Sequence, residues 1–142
     1  MGTETLLLIL TALAGWSFQE VTSLSRVDRS PPGSISNVSK NDTGVQKAVL
    51  TGTYAFNNRS NDAFLFKALE IDDAKKQIVK GIKYILEVRI LRTVCRNTDN
   101  ADLNNCHFQP KGKLHQIFHC HFEVWAMSWL KLMKTTFLSC RP

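Results

Sequence analysis

No apolar run in this chain of 142 residues approaches the roughly 20 positions that a membrane-crossing helix needs. Four cysteines, seven glycines and four prolines exclude a knottin-like scaffold, in which disulfides replace a core, and a collagen-like repeat. The sequence elements of catalysis are missing too: there is no G-x-S-x-G, Walker loop, H-E-x-x-H or G-x-G-x-x-G. Asp72 and Asp73 are adjacent, so on a strand their carboxylates point to opposite faces and make a poor acid/base pair. Neither an enzyme nor a cofactor is expected. Acidic residues are the scarcer sign, 12 against 18 basic ones, for a net charge of +6. That excess suits acidic proteins, glycans, membranes or nucleic acid, and alone it selects none of them. What is present, 44% hydrophobic and 21% charged residues, describes one ordinary globular domain able to fold on its own core.

Leu6 to Trp16 is apolar, too short to span a bilayer, and followed by small residues. It reads as the h-region of a secretory signal peptide, cleaved between Gly15 and Ser25, against the alternative of a buried N-terminal helix. The segment before it carries Glu4 and no Lys or Arg, a departure from the usual pattern. Removing residues 1–25 discards Glu4 and Glu20 and no base, which raises the charge from +6 to +8. The expected product is secreted, with delivery to endolysosomes as a variant of that route, and with no membrane or nucleic-acid partner.

Export sets the chemistry of Cys95, Cys106, Cys120 and Cys140, an even set that reads as two disulfides with three connectivities open. Sequential pairing closes the shortest loops. A zinc site is the rival reading, with His115, His119 and His121 near Cys120, but no close Cys pair supports it and no metal is expected. Asn37-Val38-Ser39, Asn41-Asp42-Thr43 and Asn58-Arg59-Ser60 are acceptor tripeptides for N-glycans.

Residues 26–40 are rich in Ser, Pro, Gly and Asn and read as a flexible, extended arm, followed by a domain over 41–142. Asp42 or Thr43 can cap a helix running to about Phe56, with Val45, Ala48, Val49, Gly52 and Phe56 on one face. Gly52 inside it points to close packing against a sheet. Asn57 to Asp62 reads as a helix breaker, with a strand from Ala63 to about Val79 beyond it. Ile82, Tyr84, Leu86, Val88 and Ile90 alternate with Lys83, Glu87 and Arg89, the strongest strand signal of the chain. Leu114 to Trp125 alternates similarly, residues 96–112 read as a long loop, and a last strand covers about Lys134 to Ser139. The class is α+β: an antiparallel sheet of four to five strands wrapped around one N-terminal helix.

Between two strand runs lies Gln77-Ile78-Val79-Lys80-Gly81, which matches the Q-x-V-x-G hairpin loop of the cystatins. Gly33 stands 44 residues before Gln77, and Trp129 nine residues after Cys120, as the glycine and tryptophan of that family do. The cysteine spacing fits as well, so over about residues 33–140 the chain resembles a secreted type 2 cystatin, an inhibitor of papain-like cysteine proteases. The resemblance implies Cys95–Cys106 and Cys120–Cys140 pairing. It implies a wedge of Gly33, Gln77, Ile78, Val79, Lys80, Gly81, Ser128 and Trp129 that enters the protease cleft without a well-placed scissile bond. The bland alternative is a tight turn and a core tryptophan. Phe56-Asn57-Asn58, Phe64 to Lys67, Gln77 to Val88 and Glu123-Val124-Trp125 resemble one branch of the family in particular. Members of that branch add two cysteines for a disulfide dimer; here the loop position is Arg59 and the arm has no cysteine, so a monomer is expected.

Two positions depart from the family pattern: Ser128 stands where Pro usually precedes the Trp, and Pro31-Pro32 replace apolar side chains before the glycine. Both imply weaker or narrower inhibition. Ser60-Asn61-Asp62 resembles the loop through which some members inhibit legumain, an asparagine-specific protease, with Asn61 in the specificity pocket. A plain Asx turn would need the same residue types. The competing function is a cystatin-fold protein that does not inhibit proteases and binds acidic glycans or microbial surfaces through Lys75, Lys76, Lys80 and Lys83.

Overall fold

The computed structural model describes residues 33–98 and 100–142. The expected signal peptide and Pro31-Pro32 lie outside the described residues. Among the described residues eight elements follow in order: β1 (Ile35–Asn37), α1 (Thr43–Arg59), β2 (Phe64–Val79), β3 (Gly81–Arg96), a 3₁₀ turn at Leu103–Asn105, β4 (Ile117–Met127), a second 3₁₀ turn at Ser128–Leu130, and β5 (Leu132–Arg141). The strands form one antiparallel sheet in sequence order, β1-β2-β3-β4-β5.

The Asp42 side chain accepts from the Val45 amide at 3.1 Å and so satisfies one of the unpaired donors at the start of α1. Val45, Ala48 and Val49 then face the sheet, where Phe66, Leu86, Val88, Ile90, Phe122 and Val124 receive them. Gly52 is where the contact is closest: a Cβ there would stand 2.5 Å from Cδ2 of Phe122. The helix can lie on the sheet at that point only without a side chain.

The helix is longer than its pattern indicated. Asn57, Asn58 and Arg59 belong to α1 and Ser60 caps it, so the expected breaker begins three residues late. The reason is Asn57, which is buried with both ends of its amide engaged: Oδ1 accepts from Phe66 N and Nδ2 donates to Phe66 O, each at 2.9 Å. A residue of low helix propensity is kept helical by two tertiary hydrogen bonds. The strands also outrun their expected limits, β3 to Arg96 and β5 to Leu132 and Arg141, because every second residue added to an antiparallel pair brings two ladder hydrogen bonds. β4 starts at Ile117, later than Leu114. Within the arm, Ile35–Asn37 pairs with Gln77 to Lys75 as β1.

The alternating residues of β3 divide as their pattern indicated. Tyr84, Leu86, Val88 and Ile90 are buried, Ile82 packs on their cluster, and Lys83, Glu87 and Arg89 line the outer face. Two disulfides complete the frame, Cys95–Cys106 and Cys120–Cys140. The second ties β5 to β4 inside the sheet, where the two residues are direct cross-strand partners.

Candidate functional site

One end of the sheet gathers three segments far apart in sequence. β2 and β3 form a hairpin whose last pairs are Gln77–Lys83, Ile78–Ile82 and Val79–Gly81, with Lys80 at the turn. Gly81 has φ +95, a left-handed conformation that glycine alone adopts without strain, and a Cβ there would meet the Ala126 carbonyl at 2.4 Å. Gly33, at φ +87, reaches this tip from the N-terminal side. Its amide donates to Ile78 O at 2.9 Å and its carbonyl accepts from Gln77 Nε2 at 2.7 Å. The β4–β5 connection, Ser128–Leu130, arrives from the other side and places Trp129 Cη2 3.3 Å from the position of that Gly81 Cβ.

The connection makes its turn with Ser128 in place of the proline usual in the family. Lys131 takes the left-handed conformation at φ 50 and its amide donates to Ser128 O at 3.1 Å, which closes the turn. Trp125 adds a tie that its sequence position did not suggest, donating Nε1–H to Lys80 O at 2.6 Å. Like Leu130, Lys131 and Leu132, it lies outside the expected set. The assembled edge is apolar and open to solvent: Ile78, Val79, Trp129, Leu130 and Leu132 are each 41–61% exposed. Apolar side chains exposed together at one edge can bury area against a partner. The eight expected wedge residues lie in these three segments, at this end of the sheet.

Ser60-Asn61-Asp62 lies elsewhere, at the opposite end of β2. Asp62 N donates to Ser60 Oγ at 3.0 Å, and Asp62 Oδ2 accepts from Phe64 N at 3.0 Å. The Arg92 guanidinium grips the same carboxylate through Nε to Oδ2 at 3.1 Å and Nη2 to Oδ1 at 2.6 Å. Partial burial pushes the Asp62 carboxyl upward, but the Arg92 hydrogen bonds and the Phe64 amide outweigh it and hold its pKa below the ordinary value. Asn61 itself is exposed and makes no hydrogen bond among the described residues.

The histidine and lysine clusters behave differently. His119 and His121 share the outer sheet face, but His121 is taken up by carboxylates, Nδ1 by Glu87 and Nε2 by Glu123 at 2.8 Å. Among the described residues no group of three His, Cys, Asp or Glu side chains is arranged to hold a metal. The four lysines do not make one patch. Lys83 pairs with Glu123 at 2.7 Å and Lys75 with Asp73 at 3.7 Å, while Lys76 lies opposite Tyr84, on the other side of the sheet. Asn37, Asn41 and Asn58 are exposed.

A family model for the cystatin domain matches residues 33–129, from Gly33 through Trp129. The chain belongs to the cystatin family. Cystatins are inhibitors of cysteine proteases rather than enzymes. This cystatin is 42% identical to mouse cystatin-F over 110 residues, covering 78% of this chain and 76% of the relative. It is 39% identical to human cystatin-F over 133 residues, covering 94% and 91%. A crystal structure of dimeric human cystatin F superposes with a TM-score of 0.75 at 40% identity, covering 82% of this chain and 93% of that one. No described helix of this cystatin is long and apolar enough to cross a membrane.

Proposed function

We propose that this cystatin is a reversible, tight-binding inhibitor of papain-like cysteine proteases of the cathepsin type, with Gly33, Gln77 to Gly81 and Ser128-Trp129 as its wedge. The convergence of these three segments on one apolar edge carries the reading. Val79 and Gly81 are cross-strand partners across a single residue, so the hairpin tip is tightly bent and offers no extended strand that a protease could align and cut. Ile78, Val79 and Trp129 bury apolar area on contact, and the hydrogen bonds between Gly33 and the first hairpin assemble the surface before the protease arrives. Titration of active-site-counted papain or a cathepsin with the folded protein tests this. Stoichiometric inhibition is expected, and absence of inhibition at micromolar concentration with both disulfides confirmed rejects the reading.

A second reactive loop at Asn61 is favoured by its exposure between two anchored neighbours. In this reading Asn61 occupies the asparagine pocket of legumain, at the end of the sheet remote from the wedge. Asn61→Ala abolishes legumain inhibition and leaves papain inhibition intact; joint loss counts against a separate site. A glycan on Asn58, three residues away, crowds this loop, so the glycosidase-treated protein inhibits legumain more strongly.

The protein is read as secreted and as a monomer. For the latter, the two disulfides use every cysteine of the sequence, which leaves no thiol for an intermolecular bond.

A further inference from the structure

The hydrogen bonds around Ser60-Asn61-Asp62 are distributed unevenly. Every polar atom of Asp62 is engaged: N with Ser60 Oγ, O with Asn97 Nδ2 at 3.2 Å, and the two carboxylate oxygens with Arg92 and the Phe64 amide. Asn97 also donates Nδ2–H to Asn57 O at 3.3 Å and its amide to Ala63 O at 2.9 Å, which joins the end of α1 to the start of β2. Arg92 is itself confined. Its guanidinium carbon lies 5.3 Å from the Phe66 ring centroid and Nη1 donates to Leu114 O at 2.9 Å, so the fork that reaches Asp62 has little freedom. Asn61 has none of these ties.

We propose that Arg92, with Asn97 as its second support, is the positioning residue of the Asn61 loop: by fixing Asp62 it makes the loop an inhibitory surface instead of a substrate. The proposal rests on the reading of Asn61 as a legumain-binding residue. A protease cuts segments that can adapt to its cleft and whose ends leave after scission. Here the residue on the far side of the Asn61–Asp62 bond is held to β3, to the residue after β3 and to the end of α1. It neither adapts nor departs. The planar guanidinium is needed because a lysine ammonium cannot grip both carboxylate oxygens in the same fixed geometry.

Arg92→Lys, which keeps the charge, and Asn97→Ser, which removes the carbonyl support, are compared with the unaltered protein in two assays. The first is hydrogen exchange at the Asp62 and Phe64 amides. Exchange faster by about tenfold in Arg92→Lys, with Gln77 to Gly81 unchanged, is expected, on the scale of a lost charge-assisted hydrogen bond. Unchanged exchange overturns the positioning role. The second is incubation with legumain, followed by mass spectrometry and inhibition kinetics. Both variants are expected to be cut after Asn61 and to inhibit legumain about tenfold more weakly, with papain inhibition as unaltered evidence of folding. Variants that inhibit legumain as well as the unaltered protein and remain uncut overturn the proposal. If the unaltered protein leaves legumain uninhibited, the legumain reading fails and with it this role in inhibition, while the exchange assay still decides whether Arg92 holds the loop.

Discussion

The two ends of the β2–β3 hairpin present exposed residues by different means. At the Gly81 end the order centres on backbone: two glycines at positive φ, a hairpin pair, a hydrogen bond from Gly33 N to Ile78 O, and the Gln77 and Trp125 side chains donating to the carbonyls of Gly33 and Lys80. The exposed side chains there include the apolar Ile78, Val79, Trp129, Leu130 and Leu132 beside Lys80, Ser128 and Lys131. At the Asn61 end the order comes from side chains, Arg92, Asn97, Ser60 and Asp62, and the exposed residue is a polar amide. The difference follows from what each end presents. A backbone-built edge can be stripped of water at little cost because its polar groups are already paired, which suits an apolar wedge. A loop that offers one side chain to a pocket must hold the neighbours and leave that side chain free.

The sharpest way to break the contrast is to place a side chain where the backbone end has no room. Gly81→Glu puts a Cβ into the Ala126 carbonyl at a φ that disfavours it. The strain, about 1–3 kcal/mol, together with a charge on the apolar edge, is expected to weaken papain inhibition by about a hundredfold or more and leave the Asn61 loop untouched. Inhibition kinetics against papain and legumain in parallel check it. Trp129→Ala comes next, with an expected loss of about 2 kcal/mol in papain affinity, since a half-exposed indole on an interface edge is the usual anchor. The frame common to both ends is probed by Gly52→Ala, whose methyl would meet the Phe122 ring. A loss of about 1–3 kcal/mol in unfolding free energy by denaturant titration is expected, with both activities kept in the folded fraction.

The smallest effect concerns His121, midway between the two ends on the outer face. Partial burial lowers its pKa, but hydrogen bonds and charge from Glu87 and Glu123 raise it more, so the folded value lies above the ordinary 6.5. A raised folded pKa contributes stability that is fully present below about pH 6.5 and is lost as pH rises through the folded value. His121→Ala should therefore lower the melting temperature at pH 5 and leave it nearly unchanged at pH 9. An equal drop at both values would show that the ring acts through packing alone.

The features legible in the sequence were those with a period or a local chemical cause. The β3 alternation marked its buried face because side chains on a strand change sides at every residue. Asp42 and Gly52 announced, respectively, a helix start and a close approach. The Q-x-V-x-G segment between two strand patterns was visible as a hairpin tip. Asn57 was misleading for a physical reason: its propensity argues against a helix, and only two hydrogen bonds to Phe66, nine residues on, reverse that preference. Trp125 read as one more member of an alternating strand, and nothing local connects its indole to Lys80, 45 residues earlier. Arg92 was hidden likewise, one cation among 18, until the sheet brought it to Asp62, 30 residues away.

By itself the sequence determined the secondary-structure plan, the presence of an internal helix packed closely on a sheet, and the candidate residues Gly33, Gln77 to Gly81, Trp129 and Asn61. The plan and the helix are written in spacing and in residue types with few conformational alternatives, and the candidate residues follow from their resemblance to the cystatin motifs. The tertiary structure alone decided which candidates share an edge, that Gly33 is bonded to the hairpin it faces, and that Asp62 is fixed while Asn61 is free. Those are matters of register between strands 30 to 45 residues apart, and register is set by the packing of the whole sheet on its helix.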